Sequence, residues 1–180
     1  MKWFIKCLRQ YADFSGRARR KEYWWFTVIN FIITIVLVIG WIIPIAKMGY
    51  NAATTGIEDI DEMEIMLTML KSPFLYIYFI YYLALLIPSI AVTVRRLHDI
   101  GKSGFWAFFI YGGSLLGSIS TYIQGSNTIA YIILSLACLV ICIISLVWMF
   151  TNSQYGPNQY GTNPKGEGNP EVQTQTTTQE

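Results

Sequence analysis

The chain has 180 residues, 53% of them hydrophobic and 13% charged, with a net charge of +2 at pH 7. Soluble domains carry roughly 25% charged residues, so this composition excludes an ordinary soluble globular domain. One histidine and three cysteines supply neither a disulfide framework nor a zinc-site spacing.

The apolar residues gather in four blocks, 24–46, 74–94, 105–123 and 128–150, none of which contains Asp, Glu, Lys, Arg or His. A helix needs roughly 20 apolar residues to cross a bilayer. One Lys, Arg or Asp at its centre costs roughly 2.5–3.5 kcal/mol on insertion scales. The pattern predicts an all-α polytopic membrane protein, with a four-span domain over 1–164, an outside loop at 47–72, and a disordered polar tail at 165–180. The first block is not expected to be a cleavable signal, because it is long, begins late and is followed by no A-x-A site.

Residues 1–14 read as an amphipathic helix. Trp3, Phe4, Cys7, Leu8 and Tyr11 share one face, and Lys2, Lys6, Arg9 and Asp13 point elsewhere. Such a helix suits either the headgroup layer or the end of the bundle. Ser15-Gly16 breaks it, and Ser15 is the expected cap of the next helix. Arg17, Arg19, Arg20 and Lys21 then run into Tyr23 and Trp24, a composition expected at a membrane interface.

Within the first span Thr27, Asn30 and Thr34 form a polar stripe, and Asn30 is expected to face a partner helix. In the outside loop, Thr55 to Glu58 has the form of a capping box. Ile57, Ile60, Met63, Leu67 and Leu70 follow at helical spacing, which predicts a short amphipathic helix. The second span carries Tyr76, Tyr78, Tyr81 and Tyr82, with Pro88 expected to kink it. This helix is expected to run through Arg95 and Arg96 to about Asp99 and to end at Gly101.

The third span holds Gly113 and Gly117 in a G-x-x-x-G, and the fourth holds Ser135, Cys138, Cys142 and Ser145 at 3, 4, 3 spacing. Small residues let helix backbones approach, so these seams are expected to pack together, or Gly113 and Gly117 to pair two copies of the chain.

Basic residues are unevenly shared. Eleven fall before the first span, between the second and third, or after the fourth, and two, Lys47 and Lys71, fall between the first and second. The positive-inside rule then puts both termini and the Arg95 hairpin in the cytoplasm. Arg95, Arg96, His98 and Lys102 lie within eight residues, just before the third span's expected start at Ser103 or Gly104, and Arg17, Arg19 and Arg20 are at the same level. With Asp99, they make a candidate site for an anionic lipid headgroup or another phosphate. Gly101-Lys102-Ser103 is not a nucleotide-binding loop, because Arg96 stands where the first glycine is required.

Three stretches carry a resemblance. They are Phe14-Ser15-Gly16-Arg17-Ala18-Arg19-Arg20-Lys21-Glu22-Tyr23-Trp24, Arg95-Arg96-Leu97-His98-Asp99-Ile100-Gly101-Lys102-Ser103-Gly104-Phe105-Trp106, and Asn158-Gln159-Tyr160-Gly161-Thr162-Asn163-Pro164. In this order, with four spans, the chain resembles the bacterial family catalogued as domain of unknown function 805, the YhaH-like inner-membrane proteins. Phe105 departs from the second Trp more frequent in the family, and the outside loop is long. The resemblance implies a polytopic protein of the bacterial inner membrane and no assigned activity. It also adds Asn158, Tyr160 and Asn163 to the expected site, where they would meet Arg19, Arg20, Glu22, Arg95, Arg96, His98, Asp99 and Lys102 beneath the bundle.

The functional expectation is a non-enzymatic membrane accessory or binding protein whose rim engages anionic lipid headgroups or a protein partner. One alternative is an enzyme acting on a lipid phosphate, with His98 as acid and base. Another is a small-solute transporter, for which the polar stripe is the only hint. Membrane lipids are the expected partners, with no nucleic acid, no metal and no cofactor.

Overall fold

The computed structural model of the protein describes residues 2–56, 61–123 and 127–170. Every regular element among them is helical: α1 Lys2–Arg9, α2 Arg20–Thr55, α3 Glu62–Lys71, α4 Pro73–Asp99, α5 Trp106–Ile123 and α6 Thr128–Phe150. In lipid a backbone must satisfy its own polar groups, which a helix does within one segment. Three helices, α2, α4 and α6, are long and apolar enough to cross a membrane. The fourth apolar helix, α5, has 18 residues. At 1.5 Å per residue it is about 27 Å long, close to the roughly 30 Å hydrocarbon core.

Several local expectations are corrected. The first helix stops at Arg9, not near residue 14. Ser15 does not cap α2, which begins at Arg20. Both the N–H and the hydroxyl of Ser15 donate to the Asp13 carboxylate instead, and these bonds hold Asp13 below the usual carboxylate range. Thr55 does not cap the outer helix either, since its hydroxyl donates back to Asn51 O at 2.8 Å at the end of α2. Asp61 is the cap of α3, accepting from Met63 N at 3.0 Å. Of the expected outer helix, Ile57, Glu58 and Ile60 lie outside the described residues.

The chain divides into two compact units, one of Met1–Trp25 with Pro88–Glu180 and one of Phe26–Ile87. In the second unit, Tyr81 Oη donates to Asn30 Oδ1 at 2.8 Å, so the amide of the polar stripe has a partner. Trp41 Nε1 donates to Met69 O at 3.2 Å, tying α2 to α3. At Gly40 a Cβ would stand 2.5 Å from the Phe74 ring, so only glycine allows this approach.

In the first unit α5 packs along α6. Cys138 Sγ lies 3.4 Å from Gly113 O, and a Cβ on Gly113 would come within 3.1 Å of Ile141. Gly113 therefore serves contact within the chain, whereas a Cβ on Gly117 would meet nothing within 4 Å. Cys142 is exposed, and Ser145 donates to Ile141 O of its own helix. Leu97 of α4, Ala107 of α5 and Met149 of α6 form a small core with Tyr23 and Trp24 of α2. Four helix ends thus meet at one place.

Candidate functional site

The meeting of helix ends leaves polar backbone groups that need partners. The last carbonyls of α4 and α6 have no intrahelical donor. Gly16, at φ +77°, turns the chain after the α1 region. The turn lays Arg17 and Ala18 alongside the end of α4, where Ala18 N donates to Arg95 O at 3.0 Å.

Arg17 is the centre of the arrangement. Its side chain is buried. Nε donates to Asp99 Oδ1 at 3.1 Å, and Nη2 donates to Asp99 O at 3.3 Å and Gln154 O at 2.6 Å. Nη1 donates to Gly156 O at 2.7 Å. One planar fork of N–H donors therefore joins the segment before α2, the end of α4 and the chain after α6.

Asp99 has both carboxylate oxygens occupied. Arg96 Nη1 and Ser153 Oγ, the latter at 2.6 Å, donate to Oδ2. Arg96 Nη2 reaches Thr151 O. A second pair lies beside this one. Glu22, fully buried in the first turn of α2, accepts from Lys6 Nζ at 2.7 Å and Arg95 Nη1 at 3.4 Å. A carboxylate is well placed there, because the helix N-terminus carries partial positive charge. Arg95 Nη1 also donates to Gln10, and Cys7 Sγ sits 3.9 Å from Glu22 Oε1. Burial, reinforced by the Glu22 charge, pushes the Cys7 thiol up to about 12.

The segment after α6 is held residue by residue. Asn158 Nδ2 donates to His98 O at 2.9 Å, and the His98 and Tyr160 rings stack at 3.8 Å with 3° between their planes. His98 Nδ1 faces Gly16 O at 3.2 Å. Asn163 Nδ2 donates to Gln154 O at 3.2 Å, and Asn163 exchanges two bonds with Asn169. Residues 165–170, assigned to the tail from composition, are thus described as part of this packing, while 171–180 lie outside the described residues.

Arg19 and Arg20 form no ion pair with Asp99 or Glu22. Arg19 donates to Pro164 O, and Arg20 to Phe150 O at 2.9 Å and to Asn152. Lys102 pairs with no carboxylate among the described residues. Its Nζ stands 4.7 Å from the centre of the Trp148 ring. Lys6, Cys7, Gln10, Ser153 and Gln154 belong to the site and were missed. Most of what the arginines touch is backbone carbonyl, which leaves no trace in residue type.

Gly101 shows how tightly the parts fit. It has φ +75°, and a Cβ there would stand 2.7 Å from Gln154 Oε1. The left-handed conformation alone costs a non-glycine residue about 1–2 kcal/mol. Gly101→Ala is therefore expected to lower the melting temperature by about 2–8 °C in detergent, at 2–4 °C per kcal/mol for a chain of this size. A shift under one degree would mean that the loop opens freely.

Chemically, this is a clasp. The guanidinium groups of Arg17, Arg95 and Arg96 point inward and bind groups of the same chain. Lys2, Arg9 and Lys21 are exposed, alongside exposed Ile5, Tyr11 and Phe14.

A family model described as "Protein of unknown function (DUF805)" matches residues 11–162. "Inner membrane protein YhaI" of Escherichia coli (strain K12) is 31% identical over 165 residues, covering 92% of this chain and 97% of that protein. "Inner membrane protein YhaH" of the same strain is 35% identical over 112 residues, covering 59% of this chain and 70% of that protein. No solved structure matches the chain.

Proposed function

The chain belongs to the DUF805 family, and from that premise we propose that it is a non-catalytic, four-span protein of the bacterial inner membrane that binds anionic phospholipid at its cytoplasmic rim. Its buried arginines are the scaffold of that rim and its exposed cations are the contact surface.

The supporting observation is the division of the basic residues into two sets. Arg17, Arg95 and Arg96 are buried and donate to Asp99, Glu22 and carbonyl oxygens, while Arg95 Nη2 and Arg96 Nε meet no acceptor among the described residues. Lys2, Arg9 and Lys21 are exposed, as are the apolar Ile5, Tyr11 and Phe14 of the same N-terminal stretch. Cations next to amphipathic and apolar side chains suit the anionic headgroup layer, where each basic residue is worth about 1 kcal/mol. In this reading α5 crosses the bilayer as the fourth span and both termini face the cytoplasm.

The test is native mass spectrometry of the detergent-purified protein given equal phosphatidylglycerol and phosphatidylcholine. The wild type is expected to retain phosphatidylglycerol preferentially. The triple variant Lys2→Gln/Arg9→Gln/Lys21→Gln, with an unchanged melting temperature, is expected to lose most of that preference. Equal retention of both lipids by the wild type would overturn the reading.

A further inference from the structure

We propose that the groove between α5 and α6 seats a short stretch of one acyl chain of an anionic phospholipid whose phosphate is bound by Lys102. This rests on the reading that the rim takes anionic headgroups. It adds where one lipid sits and which cation holds it.

The groove has a volume of about 80 Å³, with Trp106 and Phe109 of α5 facing Ile141, Ile144 and Trp148 of α6. The Ser145 hydroxyl within it is spent on Ile141 O at 2.6 Å. An apolar slot of this size accepts a short stretch of hydrocarbon and offers nothing to a polar ligand.

Lys102 stands at one end of this slot. Its ammonium lies 4.7 Å above the Trp148 ring, so one indole is both a wall of the groove and the floor beneath the cation. A cation over an indole is held by the ring face, while an ammonium carries three N–H donors. Among the described residues no carboxylate lies within 4.0 Å of Lys102, in contrast to Lys6, Arg17, Arg95 and Arg96.

The surroundings fit a lipid. Phe105 and Phe108 at the start of α5 are 67% and 74% exposed. Aromatic side chains beside a lysine at a helix end are the composition of a membrane interface. A phosphatidylglycerol phosphate complements the one ammonium, whereas phosphatidylcholine brings a cation of its own.

The experiment reconstitutes the full chain in phosphatidylcholine vesicles containing an equal, minor fraction of either chain-brominated phosphatidylglycerol or chain-brominated phosphatidylcholine. The chain has six tryptophans, so the part of the quenching that Trp106→Phe/Trp148→Phe removes is what reports bromine next to these two rings. Excess quenching by the phosphatidylglycerol is expected, with an enrichment of about fivefold, the ratio that ~1 kcal/mol per basic residue near an anionic surface represents. Lys102→Gln is expected to lose most of the excess and Lys102→Arg to keep it. Ile144→Phe fills the groove without altering charge and is expected to lose the excess as well, which guards against a Lys102→Gln variant that fails to fold. Full excess in Lys102→Gln or in Ile144→Phe overturns this inference and leaves the rim reading standing. No excess in the wild type also overturns this inference, whereas the rim reading falls only if the wild type shows no phosphatidylglycerol preference in the mass-spectrometry test.

Discussion

Asp99→Ala is expected to lower the stability of the protein by about 3–5 kcal/mol, the usual cost of removing one partner from a buried ion pair. The cost is high here because one carboxylate serves two guanidinium groups. Arg17 Nε and Arg96 Nη1 both donate to it, and both arginines are buried. Without Asp99, two cations stay in a site that water does not reach. At 2–4 °C per kcal/mol, the melting temperature in detergent is expected to fall by roughly 6–20 °C. Replacing two members, as in Arg96→Met/Asp99→Leu, is expected to cost less than the sum of the single changes, since only Arg17 is then left without its carboxylate. A melting temperature for Asp99→Ala within a degree or two of wild type would show that the clasp carries little of the fold.

Breaking the second pair is expected to change the chemistry of Cys7 by orders of magnitude. The thiol is buried, and its pKa is pushed up from 9.0 to about 12, chiefly by burial and then by the Glu22 charge. At pH 8 the reactive thiolate is therefore scarce. In the wild type, alkylation read at Cys7 by mass spectrometry is expected to be slow and to climb with pH without levelling off near 9.

Glu22→Ala removes the acceptor shared by Lys6 of α1 and Arg95 of α4. If α1 lets go, the thiol returns to its ordinary range and alkylation rises by about a thousandfold, the ratio set by three pKa units. Wild-type rates in Glu22→Ala would show that α1 is held by its apolar face alone. The same shift carries a sign for stability. The folded chain keeps a proton that the unfolded chain loses above pH 9, so this contribution is present below 9 and is lost as pH rises toward 12.

The clasp also explains the family motifs in physical terms. The three stretches are far apart in sequence yet meet here: Arg17 donates to Asp99 and to Gly161 O, and Asn158 donates to His98 O. Buried polar groups must be paired, so a change in any one strands the others.

Much of the architecture was legible along the chain. Four charge-free blocks correspond to α2, α4, α5 and α6, because the penalty for a charge in hydrocarbon is paid locally by each segment. The end of α4 was also legible, because Gly101 marks it by a backbone conformation that other residues resist. The three motifs identified the family. Partner choice was not legible. Arg17 takes Asp99, and Arg19 and Arg20 do not, because the turn at Gly16 decides which guanidinium faces the end of α4. Lys6 and Cys7 belong to opposite sides of the amphipathic pattern, and only packing against Glu22 gave both a role. The groove beside Lys102 depends on two side-chain rows, from α5 and α6, lying a few ångströms apart. The sequence by itself determined which segments avoid water, since hydropathy is a property of each segment alone. Only the tertiary structure decided which charges are buried and which remain to bind, since that depends on backbone carbonyls and helix ends brought together from distant parts of the chain.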